Sequence, residues 1–245
     1  MRVFFCFVAL LFSGVSVLAQ DLTTINVASD EWANCTQKDG SGLYFEVMRL
    51  AFPESKLEIK IVPSARSIEM VSAAKTDVCV GVYQTDVKNG IYPKYPIDYD
   101  DMSVLMLSAK AGSWAGETGL KNKKVAWIVD YGYDQYLSVP VKLTEVSDTA
   151  SGIKMLQAGR VDFYIETKST IVPFMEDNKI SKKDFRLETV KWIRLYLAFS
   201  QTPKGRALQV QWDKALPVLY KSGQLQKVFA KWGFQESFDK LKTEF

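Results

Sequence analysis

The sequence contains no histidine, and this absence removes several classes of active site. Serine and cysteine nucleophiles that depend on a histidine base are excluded, and so is every metal centre with a histidine ligand. Chemistry based on carboxylates alone remains available. A nucleotide-binding loop is also missing, because Gly40-Ser41-Gly42 lacks the glycine count and the lysine of a phosphate cradle.

Long hydrophobic runs are confined to the N-terminus. Arg2 precedes an apolar run over residues 3–12, and residues 17–19 offer a cleavage position. This pattern predicts a secretory signal peptide over residues 1–19, because the apolar run is too short for a mature transmembrane helix. A lipid anchor would need a cysteine directly after the cleavage site, whereas Cys6 lies inside the apolar run. We therefore expect an exported, periplasmic protein without a lipid anchor.

Excess charge and cysteine are scarce as well. Loss of the signal peptide would remove one arginine and no acid, which lowers the formal net charge from +3 to +2. So small a charge does not indicate nucleic-acid binding. Only Cys35 and Cys79 would remain after cleavage. An even pair in an oxidising compartment suggests one disulfide, with two buried free thiols as the alternative.

The hydrophobic patterns predict an α/β fold built from two similar series of elements. Residues 24–83 alternate strand and helix as β-α-β-α-β, which indicates parallel strands with crossover helices. A strand over 103–108 then precedes a second series. Its predicted elements are a strand at 124–129, a helix at 149–158, a strand at 161–165, a helix at 167–177 interrupted by Pro173, a strand at 193–199 and two terminal helices.

Several segments, taken in order, resemble the family 3 extracellular solute-binding proteins, the periplasmic receptors of polar amino-acid ABC transporters. They are DGSGLYFEVMRLAF, VPSARSIEMVSAAKTDVCVGVYQTD, LKNKKVAWIVDYGYD, SGIKMLQAGRVDFYIE and LYLAFSQTPKGRALQVQWDKALPVLYKSGQLQKVFAKWG. The resemblance implies a periplasmic-binding-protein-like clamshell, with each lobe a mainly parallel sheet flanked by helices. Lobe 1 would comprise residues 20–107 and 198–245, and lobe 2 residues 108–197, joined by two hinge strands near Leu107 and Leu197.

Ligands of open α/β sheets bind beyond the carboxyl ends of the strands, and this rule selects candidate ligand-binding residues. Aromatic side chains there would pack against apolar parts of a ligand, while a few polar groups fix its orientation. Family members often place an acid near Glu166, where it meets a ligand ammonium. The candidates are Trp32, Ser64, Arg66, Tyr83, Gln84 and Thr85 from lobe 1, and Asp130, Tyr131, Tyr133 and Glu166 from lobe 2.

Two positions depart from the family pattern. Amino-acid-binding relatives usually carry Thr-x-Arg after the third strand, with the arginine paired to the ligand α-carboxylate, whereas this sequence has Thr85-Asp86-Val87. A valine cannot form that charge-assisted pair. Either Arg66 supplies the cation from the neighbouring helix start, or the ligand is not an α-amino acid. Tyr133 similarly stands where the family tends to carry the threonine of a Gly-Thr turn.

The resemblance implies a monomeric receptor, without cofactor, metal or catalytic activity, that captures a small polar solute such as an amino acid or a related compound. Its partner would be an inner-membrane ABC permease, or the periplasmic domain of a sensor kinase if the protein signals without transport. The alternative from the enzyme class is a dehydratase similar to the cyclohexadienyl dehydratases, with Glu166 as the proton donor.

Overall fold

The computed structural model describes residues 21–129 and 131–245. The signal peptide predicted over residues 1–19 and the candidate site residue Asp130 lie outside the described residues. Within the described residues, no helix combines the length and the apolar character that crossing a membrane requires.

One curled mixed sheet of eight strands, flanked by helices, organises the described residues. In chain order the strands are β1 (Thr24–Ser29), β2 (Lys56–Ile61), β3 (Val78–Val82), β4 (Asp98–Leu107), β5 (Lys124–Ile128), β6 (Lys142–Val146), β7 (Phe163–Glu166) and β8 (Phe185–Phe199). The helices are α1 (Leu43–Ala51), α2 (Ser64–Ser72), α3 (Thr149–Gln157), α4 (Lys168–Asp177), α5 (Pro203–Lys221), α6 (Gln224–Trp232) and α7 (Gln235–Leu241).

The strand order β2-β1-β3-β8-β4-β7-β5-β6 divides the sheet into two halves of the same build. In the first half β1 pairs in parallel with β2 and β3, and in the second β5 pairs in parallel with β6 and β7. The long strands β4 and β8 are antiparallel to each other, and β8 also pairs with β3 while β4 also pairs with β7. The chain therefore forms two α/β lobes connected by two long strands.

Each lobe has its own hydrophobic core. In the first lobe, α1, α5 and α6 contact one another and bury Phe45, Trp212 and Phe229 against β1 and β3. In the second lobe the two faces of the sheet bury different side chains, Trp127 with Ile165 on one face and residues of α3 and α4 on the other. The lobe boundaries after residues 107 and 197 stay a prediction.

Side-chain caps determine where three helices begin. Asp148, Thr167 and Thr202 each accept a hydrogen bond from the backbone N–H three residues later, at the starts of α3, α4 and α5. Each cap satisfies a donor that the first helical turn would otherwise leave free. In α5 the next residue is Pro203, whose missing N–H costs nothing at the first helical position.

Several elements differ from the sequence-based prediction. β6 and α7 were not predicted, β4 begins at residue 98 instead of 103, and β8 begins at residue 185 instead of 193. Most of β6 is at least partly exposed at the sheet edge, so it has no buried face that a hydrophobic pattern could reveal. α4 continues through Pro173, where the sequence predicted an interruption.

The predicted disulfide between Cys35 and Cys79 is wrong, because both thiols are free and buried. Successive residues of a strand point to opposite faces of the sheet. Val78 and Val80 of β3 therefore share the core that contains Cys35, whereas Cys79 belongs to a separate cluster on the other face. Burial raises the pKa of the Cys79 thiol to about 12 and that of Cys35 well above its usual range, which keeps both groups protonated.

Candidate functional site

Carboxylates and tyrosines from both lobes converge beside the strands that connect the lobes. Asp100 and Asp101 lie on β4, and Glu166 is the last residue of β7. β4 and β7 pair directly, with Ser103 opposite Glu166. Asp101 and Asp100 precede Ser103 by two and three residues, so the three acids lie near the same end of the paired strands. Tyr83, Tyr131 and Tyr133 lie near Asp100, whose charge contributes to the raised pKa of each hydroxyl. Tyr131 and Tyr133 also lie near Glu166, whose charge acts on both of them.

Glu166 is the acid of this group that has a buried oxygen atom without a hydrogen-bond partner among the described residues. The residue is 1% exposed, and its Oε1 accepts a hydrogen bond of 2.8 Å from the backbone N–H of Thr167. Its buried Oε2 has no hydrogen-bond partner among the described residues. Burial, reinforced by the charges of Asp100 and Asp101, raises the pKa of Glu166 to about 8. An unpaired buried polar atom costs about 1–3 kcal/mol, so this position favours a ligand that forms a hydrogen bond or an ion pair with the Glu166 carboxyl group.

Asp100 is half-buried and accepts a hydrogen bond from the first lobe. The hydroxyl of Tyr83, directly after β3, donates to its Oδ2 at 2.5 Å. Burial, with added effects of the Asp101 and Asp98 charges, raises the pKa of Asp100 to about 7 in spite of this bond. The Tyr83 ring also contacts the ring of Tyr136 from the second lobe, with centroids 5.1 Å apart. Tyr83 therefore links a carboxylate of the connecting strands to the opposite lobe.

The turn after β5 supplies two further tyrosines. Gly132 adopts the left-handed conformation, with φ of 60°, between Tyr131 and Tyr133. The two rings meet edge to face with centroids 5.6 Å apart. Burial raises the pKa of both hydroxyls, and the charges of Asp100 and Glu166 raise it further. Both phenols thus lie near the carboxylates and stay protonated, as neutral hydrogen-bond donors.

Trp32 follows β1 and packs on the first-lobe side. Its half-buried ring lies against Gly81 of β3, where an added Cβ would be 2.7 Å from a ring carbon. Gly81 has a φ of +71° at a register shift in β3, so both its conformation and the close ring exclude a side chain. Tyr44 contacts the same glycine and donates its hydroxyl to Asp98 at 3.0 Å. Trp32 therefore packs in the first lobe near Tyr44, which is hydrogen-bonded to the connecting strand β4.

Ser64 and Arg66 lie in the first turn of α2. The backbone N–H of Ser64 donates to Oδ2 of Asp30 at 3.0 Å, and the charge of Asp30 contributes to the raised pKa of Tyr131. The start of α2 is therefore close to the second-lobe tyrosines. The Arg66 side chain, however, is 50% exposed and forms an ion pair with Glu69 one turn along the same helix.

Gln84 and Thr85 are exposed and lie on a different surface. The Thr85 hydroxyl donates to Oε1 of Gln135 in the second lobe at 3.3 Å. Both residues line a groove of about 480 Å³ together with Tyr99, Tyr136 and residues 191–194 and 196 of β8. Of the predicted residues, the structure therefore brings together Tyr83, Tyr131, Tyr133 and Glu166, with Trp32 and Ser64 beside them and the remaining described ones outside. Their roles in ligand binding stay predictions.

Sequence reasoning missed Asp98, Asp100 and Asp101. The run Asp98-Tyr99-Asp100-Asp101 directly precedes the buried Met102, and acids at alternate positions next to an apolar strand were the available signal. Asp98 is buried and accepts hydrogen bonds from the hydroxyls of Tyr44 in α1 and Ser237 in α7. It therefore connects β4 to both helices. Burial raises its pKa to about 6. Among the described residues, no group of three acids, cysteines or histidines has an arrangement that could hold a metal ion.

No protein-family model matches the chain, and no curated protein matches it. Solved structures do match. The probable amino-acid ABC transporter extracellular-binding protein ytmK from Bacillus subtilis has a TM-score of 0.67 and 19% identity, covering 88% of this chain and 99% of that one. An ancestral arginine-binding protein bound to arginine has a TM-score of 0.65 and 18% identity, covering 86% and 98%.

A histidine kinase sensor domain with similarity to periplasmic binding proteins matches equally well. Its TM-score is 0.66 at 18% identity, and the match covers 85% of this chain and 95% of the sensor domain. Identities this low establish the fold alone. The chain therefore has the two-lobed α/β fold of periplasmic binding proteins, as the sequence predicted.

Proposed function

We propose that this protein is a solute-binding protein that captures a small polar solute between its two lobes, without catalysis, for uptake by an inner-membrane ABC permease. The observation that carries the proposal is the unpartnered Oε2 of Glu166, which is buried beside tyrosines from both lobes. The fold shared with amino-acid-binding proteins of ABC transporters supports it.

Binding would act through closure of the two lobes. Tyr83 belongs to the first lobe, whereas Tyr131, Tyr133 and Glu166 belong to the second, so a ligand among them contacts both. Because such a ligand binds the closed form better than the open form, it shifts the equilibrium towards closure. The connecting strands β4 and β8 would act as the hinge, with lobe 1 comprising residues 20–107 and 198–245 and lobe 2 residues 108–197.

Thermal unfolding tests the proposal directly. The exported chain is screened against amino acids, amines, organic acids and small peptides. A solute present at 100 times its dissociation constant should stabilise the protein by about 2.7 kcal/mol. Glu166→Ala should abolish the shift, whereas Glu145→Ala, at an exposed position of β6, should keep it. If no small solute raises the melting temperature, the proposal is wrong.

Export to the periplasm, a free monomeric state and a permease partner are parts of the same proposal. Cell fractionation tests the first and size-exclusion chromatography the second. The structural likeness to a kinase sensor domain favours a second candidate, a receptor that signals without transport. Capture of inner-membrane partners on the tagged, solute-loaded protein distinguishes the two, since one function requires a permease and the other a sensor kinase.

The dehydratase alternative has one observation in its favour. Burial and neighbouring charges raise the pKa of Glu166 to about 8, so this acid retains a proton at neutral pH, as a general acid must. Incubation of the protein with prephenate or arogenate, followed by product absorbance, tests this activity. We expect no turnover, and turnover that Glu166→Gln removes would replace the binding function with an enzymatic one.

A further inference from the structure

Among the described residues, the candidate site offers carboxylates and aromatic rings but no free positively charged partner for an acidic group of a ligand. We infer that the solute is an organic cation without a free carboxylate, such as a primary amine or a diamine. The inference rests on the proposed function, since it names the class of solute that the same site would take.

The acidic side chains of the site have hydrogen-bonding capacity that the described residues leave unused. The carboxylate of Glu166 is 1% exposed and has an oxygen without a partner among the described residues. Asp100 accepts one hydrogen bond, from Tyr83, and its second oxygen forms no hydrogen bond that the described residues supply. A primary ammonium carries three donors, which suits a site that presents more than one carboxyl group.

The basic residues near the site are engaged elsewhere. Arg66 pairs with Glu69 on the surface of α2, and Lys168 directs its Nζ to Glu236 at 2.9 Å. Lys168 reaches the site only through its backbone N–H, which donates to Asp101 at 2.8 Å. None of the ion pairs among the described residues involves Asp100 or Glu166.

The remaining lysine close to the tyrosines also points away from the acids. Lys191 donates to the backbone carbonyl of Tyr136 and lies 3.5 Å from Glu117. Val87 follows β3 and is 2% exposed, packed against Gly90 and the core around Cys79, so it offers neither a charge nor access to a ligand. A ligand carboxylate would therefore find no free cation among the described residues here.

The aromatic side chains fit the same class of ligand. Tyr83 donates its hydroxyl to Asp100, and Tyr131 and Tyr133 lie near Asp100 and Glu166. Tyrosine faces attract ammonium groups when both are shielded from water. The burial that leaves Glu166 Oε2 unpaired also strengthens its attraction for a cation. An amine thus gains from both kinds of group, whereas a zwitterionic amino acid gains from one end and loses at the other.

Calorimetric titration with matched pairs of solutes tests the inference. The probes are agmatine against arginine, putrescine against ornithine, and tyramine against tyrosine, which differ within each pair only by the α-carboxylate. At least one amine should bind at least tenfold more tightly than its parent amino acid. A parent amino acid that binds as tightly as its amine, or more tightly, overturns the inference.

The failure of this inference is distinguishable from failure of the proposed function. If neutral or acidic solutes raise the melting temperature while no amine binds, the inference is wrong and the receptor function stands. If no solute of any class raises it, both are wrong. A loss of amino-acid binding in Arg66→Ala would also overturn the inference, since Arg66 would then supply the missing cation.

Two variants test whether Glu166 and Asp100 bind the amine. Glu166→Gln and Asp100→Asn keep the shapes of the side chains but remove their charges, and each should weaken binding of the amine at least tenfold. The matched control Glu145→Gln removes a charge from an exposed strand position and should bind like the unmodified protein. Unchanged amine affinity in both site variants would overturn the inference, provided that their unfolding transitions show that they are folded.

Discussion

Replacing Glu166 with glutamine should change the pH dependence of stability in a defined direction. The side chain is 1% exposed, and one of its oxygens has no partner among the described residues. Burial, followed by the charges of Asp100 and Asp101, raises its pKa from the ordinary 4.5 to about 8. The folded protein therefore keeps a proton on Glu166 at pH values where the unfolded chain has already released it.

The sign and size of the effect follow from this difference in proton binding. Between pH 4.5 and 8 the folded state binds more protons than the unfolded state, so the free energy of unfolding falls as the pH rises. The slope is about 1.4 kcal/mol per pH unit, and the fall over the whole interval is at most about 5 kcal/mol. Asp100, whose pKa is raised to about 7, acts in the same direction and remains in the variant.

Urea unfolding at pH 5 and pH 8, followed by tryptophan fluorescence, measures this contribution. Glutamine has nearly the shape of glutamic acid but no proton to lose. The free energy of unfolding of Glu166→Gln, relative to the unmodified protein, should therefore increase between pH 5 and pH 8 by up to about 4 kcal/mol. Glu145→Gln, on the exposed edge strand β6, is the control and should show no such change.

Parallel pH dependences for the unmodified protein and Glu166→Gln would refute the reasoning. They would mean that Glu166 releases its proton at the same pH in the folded and unfolded states. The side chain would then be solvated or paired with a cation in solution. Glu166 would then offer no unsatisfied oxygen atom to a ligand.

Three further predictions concern the folded framework. Because Cys35 and Cys79 are free, unfolding the chain without residues 1–19 in the absence of reductant should expose two thiols to a maleimide, and mass spectrometry that finds no labelled thiol would contradict this. In Gly152→Ala the new Cβ would lie 2.2 Å from the Tyr164 ring, so urea unfolding should give a loss of about 1–3 kcal/mol; unchanged stability would show that α3 packs less closely on β7. Thr202→Ala should cost about 1 kcal/mol by removing the cap of α5, whereas Thr202→Ser should retain most of it, and equal losses would exclude the cap as the cause.

The sequence predicted the elements whose buried faces carry a clear period. The series from β1 to β3, with the helices α1 and α2, agrees with the prediction to within a few residues, because each element has a recognisable apolar pattern. The pattern is helically spaced in α1 and α2, alternating in β2 and a continuous buried run in β3. The first half of β4 contains Asp98, Asp100 and Asp101, which a hydrophobic pattern cannot assign to a strand. Pairing with β8 creates that half of the strand, and the pairing depends on residues about ninety positions away.

The same distinction applies to the site. Glu166, Tyr83 and Tyr131 could be found because they lie at or after the carboxyl ends of strands that hydrophobicity reveals. Asp100 lies within an antiparallel connecting strand, which the strand-end rule does not consider. The disulfide prediction failed because a count of cysteines and a compartment say nothing about which face of the sheet each thiol occupies.

Proton release on binding provides a test that joins the recognition of a cation to lobe closure. Asp100 and Glu166, with pKa values raised to about 7 and 8, hold protons in the free protein at pH 6.5, and an ammonium must displace them. Amine affinity should therefore rise as the pH increases from 6 to 8 and then level off, while the raised pKa values of Tyr83, Tyr131 and Tyr133 keep those hydroxyls protonated throughout.

Titration calorimetry at pH 6.5 in two buffers with different heats of ionisation counts the protons released. Glu166→Gln should release about one proton fewer than the unmodified protein. Affinity independent of pH, with no proton release, would show that these acids do not meet the ligand. Asp100 and Glu166 lie on directly paired strands, so closure does not change their pairing. An ammonium bound to them also meets Tyr83 of the first lobe, and this second set of contacts favours the closed form when the solute is bound.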